Sequence, residues 1–183
     1  MKSIITNVAA AATIVLAISV AGIHSGSAFA DETKNPVIVV GPSDAKTVPV
    51  FGAEVSFLVL GKQTGGQDAA IIFATPKGYK GPALHVHPRT AESIYILEGA
   101  FTMWVNKDKF AASAGTYIRV PRNTPHTFAN ASDGISKLMV FFTPAGREML
   151  FWEGAELEKK AGGRLPPETV AELYAKFDTR IVK

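Results

Sequence analysis

The side chains best equipped for chemistry are three histidines and a glutamate between positions 85 and 126. His85-Val86-His87 puts two imidazoles at i and i+2, and on a strand they share a face. Glu92 follows after four residues, and its parity mates Ile94 and Ile96 are apolar. That parity predicts an inward Glu92, and a buried carboxylate is costly unless paired or bound to a cation. His126 opens a later strand after Pro121-Arg122-Asn123-Thr124-Pro125. Taken singly, an interior histidine is most often a hydrogen-bonded core residue, and a glutamate on a strand is most often at the surface. Together, three neutral imidazoles and one carboxylate make a good site for one divalent first-row metal ion, with positions open for water or substrate. Iron, manganese, nickel, copper, cobalt and zinc all accept such a set.

Composition removes the competing chemistries. The 183 residues contain no cysteine, which excludes disulfides, zinc fingers, iron–sulfur clusters and a thiol nucleophile. Nineteen basic against 16 acidic residues give a net charge of +3. No Lys/Arg block is longer than two, so no nucleic-acid partner is expected.

The elements that must position these residues are mostly short strands. Val, Ile, Phe and Thr dominate 36–143, punctuated by Gly, Pro and Asn. Strands are expected at 37–40, 55–60, 69–75, 84–87, 92–98, 101–106, 110–113, 116–120, 126–130 and 137–143, an all-β sandwich or barrel. Glu98-Gly99-Ala100 and Asn106-Lys107-Asp108 are expected to be tight hairpins, and Thr64-Gly65-Gly66 a turn. After Thr143 the period becomes helical. A first helix carries Met149, Leu150, Phe151, Trp152 and Leu157. Gly162-Gly163 breaks it, and Pro166-Pro167 opens a second with Val170, Leu173, Tyr174 and Phe177 on one face.

The first thirty residues read as a segment removed before folding. Lys2 precedes an uncharged apolar run through Gly22, and Ala28-Phe29-Ala30 offers a small-residue cleavage site before Asp31-Glu32. This pattern predicts a secretory signal peptide over 1–30, cleavage after Ala30, and a periplasmic or secreted protein with no membrane contact after cleavage. Residues 31–183 are then one domain, with a barrel over about 37–143 and a helical tail over 145–183.

The segment Gly81-Pro82-Ala83-Leu84-His85-Val86-His87, through Glu92 to Gly99, resembles the first motif of the cupin superfamily. Gly115 to Asn130, with Pro121, Asn123 and His126, resembles the second. The resemblance implies a jelly-roll β-barrel with C-terminal α-helices, and His85, His87, Glu92 and His126 as ligands of one divalent metal. Two positions depart from the pattern. Tyr79 stands where the first motif has glycine, and Asn123 where the second has glycine; Asn is the non-glycine residue that best tolerates positive φ. The layout that includes Thr143-Pro144-Ala145-Gly146-Arg147-Glu148 is similar to single-domain cupins of the quercetin 2,3-dioxygenase-like group.

The function expected from that likeness is a metal-dependent dioxygenase acting on a small, aromatic, flavonol-like compound, with Glu92 as acid/base. Two alternatives stay open: another cupin enzyme (oxalate decarboxylase- or oxidase-like, or an isomerase), and a non-catalytic metal- or ligand-binding protein. The partner expected is a small molecule, and a homodimer is left open. Phe128, Met103 and Ile94 are expected at the substrate pocket. Phe57, Phe73, Phe101, Trp104, Phe141 and Phe142 are more simply read as core. Arg89 and Arg122, in loops beside ligand segments, are candidates for holding an anion, although such arginines are usually solvated.

Overall fold

In the computed structural model, residues 36–41 and 43–182 are described; the expected signal peptide lies outside them. Eleven strands and two helices occur in the order β1 (Lys46–Val50), β2 (Ala53–Val59), β3 (Ala69–Thr75), β4 (His85–Val86), β5 (Ala91–Glu98), β6 (Ala100–Val105), β7 (Asp108–Ser113), β8 (Tyr117–Val120), β9 (His126–Asn130), β10 (Ser136–Thr143), α1 (Met149–Ala161), α2 (Pro167–Lys176) and β11 (Arg180–Ile181). They form a six-stranded sheet, β1-β2-β3-β10-β5-β8, and a five-stranded sheet, β11-β4-β9-β6-β7. Every pairing is antiparallel. This is the expected jelly roll with two C-terminal helices, although the described strands make two separate layers rather than a closed barrel.

Alternation builds the core between the layers. Val55 and Phe57, Ile71 and Phe73, Ile94 and Ile96, and Leu138, Val140 and Phe142 point inward from one sheet; Phe101, Met103 and Phe128 point inward from the other. Burying such side chains stabilises the fold by about 1.5–3 kcal/mol each.

Three local expectations change. Residues 37–40 form no strand. Val37 and Val39 are exposed, because no neighbouring strand offers that stretch a ladder, and the sheet begins at Lys46. The turn at Gly99 is not a hairpin within one sheet: β5 lies in the six-stranded layer and β6 in the five-stranded one. Gly99 has φ 72°, and a Cβ there would run into the Ser136 side chain. Finally, the tail is not wholly helical. After α2, whose Leu173 and Tyr174 are buried, the chain turns at Asp178 (φ 52°) and β11 pairs with β4, Ile181 opposite His85. The Asn106-Lys107 hairpin between β6 and β7 forms as expected, and Asn123 takes positive φ at 58°.

Candidate metal centre

The histidines meet because two strand ends meet. His85 on β4 is paired directly with His126 on β9, and Val86 separates His85 from His87 on the same face. The strand carrying His85 is seated by Gly81: its φ is 77°, and a Cβ at that position would collide with the Phe128 carbonyl. Thr127 Oγ1 donates to the Pro82 carbonyl at 2.7 Å, tying the same loop to β9.

His85, His87 and His126 are each 2% exposed, and their candidate ligand atoms lie within 4.8 Å of one another. Glu92, on the neighbouring sheet, closes the fourth side. Its Oε1 is 3.0 Å from His87 Nε2 and its Oε2 is 3.3 Å from His126 Nε2. All four residues singled out by spacing are therefore brought together.

Hydrogen bonds behind the rings set which nitrogen faces inward. His85 Nδ1 lies 2.8 Å from the Ala83 carbonyl, and His126 Nδ1 lies 2.8 Å from the Thr124 carbonyl. A carbonyl only accepts, so each Nδ1 carries a proton, and a neutral ring then presents its lone pair at Nε2. His126 Nε2 lies 3.3 Å from a carboxylate oxygen without an aligned hydrogen bond. His87 Nε2 and His126 Nε2 are buried without an aligned hydrogen-bond partner among the described residues. Buried polar atoms are rarely left so, and a cation between the Nε2 atoms and Glu92 gives both a partner. The donor set fits a divalent first-row metal.

His87 has a fuller outer environment. Its Nδ1 is 3.0 Å from the Asp178 carbonyl and 3.0 Å from Arg147 Nε, with Thr179 Oγ1 at 3.3 Å. The Asp178 carboxylate accepts from the Arg89 and Thr90 amide and hydroxyl groups that flank the β4–β5 turn: Arg89 N at 2.9 Å, Arg89 Nε at 3.1 Å and Thr90 Oγ1 at 2.9 Å. Burial, and then the Arg147 charge, push His85 down to about 2. The same two causes lower His87, against the pull of Glu92. Burial alone would raise Glu92, but the facing His126 and His87 rings and the Arg147 charge outweigh it and hold the carboxyl well below its ordinary range. His85 and His87 are thus neutral and the Glu92 carboxylate ionised at neutral pH, the states a metal requires.

The histidines open into a cavity of about 370 Å³ whose walls include Phe51, Phe73, Tyr79, Phe128, Phe151 and Tyr174, with His85, His126, Glu92 and Arg147 among them. Phe128 lines it, as expected. Met103 and Ile94 do not: both are fully buried in the core, Ile94 because it sits one inward step deeper than Glu92 on β5, Met103 because it is opposite Phe128 in the β6–β9 ladder. Neither Arg89 nor Arg122 reaches the cavity. The Arg89 side chain is largely exposed beside Asp178, and Arg122 is exposed on its turn. The sequence reading missed Arg147, Asp178 and Thr179 as site residues; ninety residues of chain separate the last two from His87, and no periodicity marks them. A larger, shallower groove of about 940 Å³ runs along β1, β2 and α1 and contains no histidine.

Comparison with known proteins agrees with this geometry. Residues 71–142, about two-fifths of the chain, match the cupin domain model. It is 30% identical over 80 residues to quercetin 2,3-dioxygenase of Bacillus subtilis, covering 43% of this chain and 23% of that protein. It is 28% identical over 123 residues to quercetin 2,3-dioxygenase of Aspergillus japonicus, covering 64% and 35%. The chain thus spans about a quarter to about a third of the curated relatives it matches. An RmlC-like cupin from Shewanella frigidimarina shares the fold at TM-score 0.55 and 20% identity, covering 63% of this chain and 98% of that one. KdgF from Halomonas sp. does so at 0.51 and 18%, covering 62% and 99%.

Proposed function

We propose that this protein is a metal-dependent cupin dioxygenase that acts on a small aromatic compound in the cavity beside the histidines. The observation that carries the reading is the convergence of three inward Nε2 atoms and an ionised Glu92 on the wall of an aromatic-lined cavity. The two curated relatives named quercetin 2,3-dioxygenase support the reaction class. His85, His87 and His126 would hold the metal with Glu92. When bound, it supplies Lewis acidity toward a substrate oxygen and a route for electrons to dioxygen. The chain's own part is more local. The phenyl walls exclude water and orient a planar ring. Glu92 is the carboxylate on that wall, among the described residues, placed to take a proton from a substrate hydroxyl. We further propose export with cleavage after Ala30, which mass spectrometry of the N-terminus from native cells tests.

The deciding experiment is oxygen uptake by metal-reconstituted protein across a panel of flavonols and catechols, with Glu92→Gln alongside wild type. Uptake by wild type supports the reading. In the variant, a rate loss of about a hundredfold or more with metal retained assigns Glu92 to proton transfer, whereas loss of the metal assigns it to ligation. No uptake despite stoichiometric metal removes the oxygenase reading and favours a binding protein or another cupin reaction.

A further inference from the structure

Arg147 is the least expected group in the cavity. It is 6% exposed and comes from the turn between β10 and α1. Its guanidinium carbon lies 5.4 Å from the Phe142 ring centroid and 5.5 Å from that of Phe151. Those rings fix the plane of the group without using its donors. Its Nε lies 3.0 Å from His87 Nδ1. The nearest carboxylate oxygen, Glu92 Oε1, is 3.6 Å from Nε, beyond hydrogen-bond range. Among the described residues, the terminal nitrogens of Arg147 have no hydrogen-bond partner, and Arg147 lines the cavity that His85, His126 and Glu92 also line.

Open donors of a largely buried guanidinium that face a cavity can be met only by what enters it, water or an acceptor on a ligand. Neighbouring acids do not fill that role. Glu92 is committed to the histidines, and the Asp178 carboxylate is turned to Arg89 and Thr90. Charge points the same way. Glu92 and Arg147 offset one another, so a divalent cation among the histidines leaves about two positive charges uncompensated between aromatic walls. The two hydroxyls on the wall, Tyr79 and Tyr174, are kept neutral by burial and add no negative charge.

We propose that Arg147 is the anion-binding residue of this cavity, and that the ligand is a small, planar, mostly apolar compound carrying an oxyanion, either a carboxylate or an enolate, that accepts from the Arg147 fork. The cavity volume of about 370 Å³ is at the lower end of ligand sites, roughly 300–1,000 Å³, which suits one or two rings. The proposal deepens the enzyme reading above and rests on it for where the reacting atoms sit. The anion site itself needs only Arg147 and its walls.

The test is calorimetric titration of benzoate and of its neutral isostere benzamide into cobalt-loaded protein under nitrogen and into metal-free protein. Loaded wild type is expected to bind benzoate at least about tenfold more tightly than benzamide. Arg147→Met is expected to lower that ratio several-fold, the remainder coming from the metal's charge, and Arg147→Lys to keep more of it, because a point charge replaces the fork. In metal-free protein the ratio is smaller, since Glu92 opposes the anion, but the gap between wild type and Arg147→Met remains. Running 4-nitrophenolate beside benzoate separates the two sources: the probe with the larger Arg147-dependent ratio names the oxyanion. Equal binding of benzoate and benzamide by wild type overturns the proposal, as does an unchanged ratio in Arg147→Met. Should that variant not fold, a wild-type crystal soaked with 4-bromobenzoate decides, the carboxylate lying either on the Arg147 terminal nitrogens or away from them. An Arg147-dependent preference in protein that binds no metal keeps the anion site and removes the enzyme reading. Turnover of neutral compounds with no anion preference does the reverse.

Discussion

The two ends of β9 carry buried polar side chains with opposite fates. At one end, Asn130 is fully engaged. Its Nδ2 donates to the carbonyls of Thr75 at 3.0 Å, Pro76 at 3.0 Å and Gly134 at 2.9 Å, and its Oδ1 accepts from Ser132 N at 2.8 Å and Ser136 Oγ at 3.0 Å. At the other end, His126 has one nitrogen satisfied by a carbonyl and the other 3.3 Å from a carboxylate oxygen with no aligned hydrogen bond. Both side chains are nine-tenths buried or more. Burial therefore does not distinguish structure from site; unspent hydrogen-bonding capacity does. The Asn130 end is a knot that locks the β9–β10 turn to the β3 end. The His126 end is an arrangement whose missing partner is a ligand.

The largest effect should come from removing a ligand at the open end. In His126→Ala, metal affinity should fall by more than the ~10–100-fold that loss of an outer partner costs, and any turnover should vanish. The metal-free protein should keep its thermal midpoint or gain slightly, because a buried nitrogen without a hydrogen-bond partner is gone. Elemental analysis and a melting curve check both halves. A metal content equal to wild type would show that the open end is not a metal centre.

The knot should behave in the opposite way. Asn130→Ala leaves three carbonyls, an amide and a hydroxyl to find new partners inside the protein, at a cost of roughly 2–4 kcal/mol. The thermal midpoint should drop by about 5–15 °C, while the protein that remains folded binds metal with unchanged stoichiometry. If metal binding weakens in proportion to stability, the two ends of β9 are one unit and the contrast dissolves.

This contrast explains what the sequence could reveal. His85, His87, Glu92, His126 and Asn130 all lie within strands or tight turns, where period-2 alternation converts spacing directly into facing. The two helices were legible for a similar reason, from Gly162-Gly163, Pro166-Pro167 and the apolar face of α2. Residues whose placement depends on long-range return of the chain were not. Arg147 is delivered by a turn after β10, and Asp178 by a turn after α2. Arg89 and Arg122, adjacent in sequence to the ligands, face away from the cavity. β1 was hidden because Pro49 interrupts its pattern, which an edge strand tolerates, and β11 because two residues carry no period. Ile94 and Met103 show the limit of parity: it tells which face a side chain takes, but not how deep along that face a cavity ends.

Acid should sharpen the comparison at intermediate size. In metal-free protein His85 stays neutral down to about 2, whereas in the unfolded chain it takes up a proton below about 6.5. His87 is shifted in the same direction. The unfolded state therefore binds more protons, and stability present above pH ~6.5 drains as the pH falls toward 2. By pH 5.5 the loss should be roughly 1–2 kcal/mol. Glu92, held below its ordinary range, adds to the loss below about pH 4.5. In His85→Ala the slope between pH 7 and 5 should flatten, while in Asn130→Ala it should be parallel to wild type; denaturant midpoints against pH show which. Equal slopes in all three proteins would place the acid sensitivity elsewhere.

The smallest effect is expected at the C-terminal clamp, and it depends on which part of Asp178 is changed. The backbone carbonyl, not the carboxylate, faces His87 Nδ1. The carboxylate serves the turn, through Arg89 and Thr90. Asp178→Asn keeps an acceptor oxygen and tolerates the φ of 52°. It loses only the charge opposite an Arg89 that is 78% exposed, a pair worth about 0–1 kcal/mol. Metal affinity in this variant should stay within about threefold of wild type. Asp178→Ala removes all the carboxylate's hydrogen bonds and places a Cβ-bearing residue without local support in the left-handed region, at about 1–2 kcal/mol. The β11 turn should then loosen, the carbonyl should lose its register with His87, and metal affinity should fall about tenfold, as for other outer-shell losses. Competition against a chelator measures both. If the alanine variant holds metal as tightly as wild type, the Asp178 turn merely covers the cavity, and the orientation of His87 is set by Arg147 and Thr179 instead.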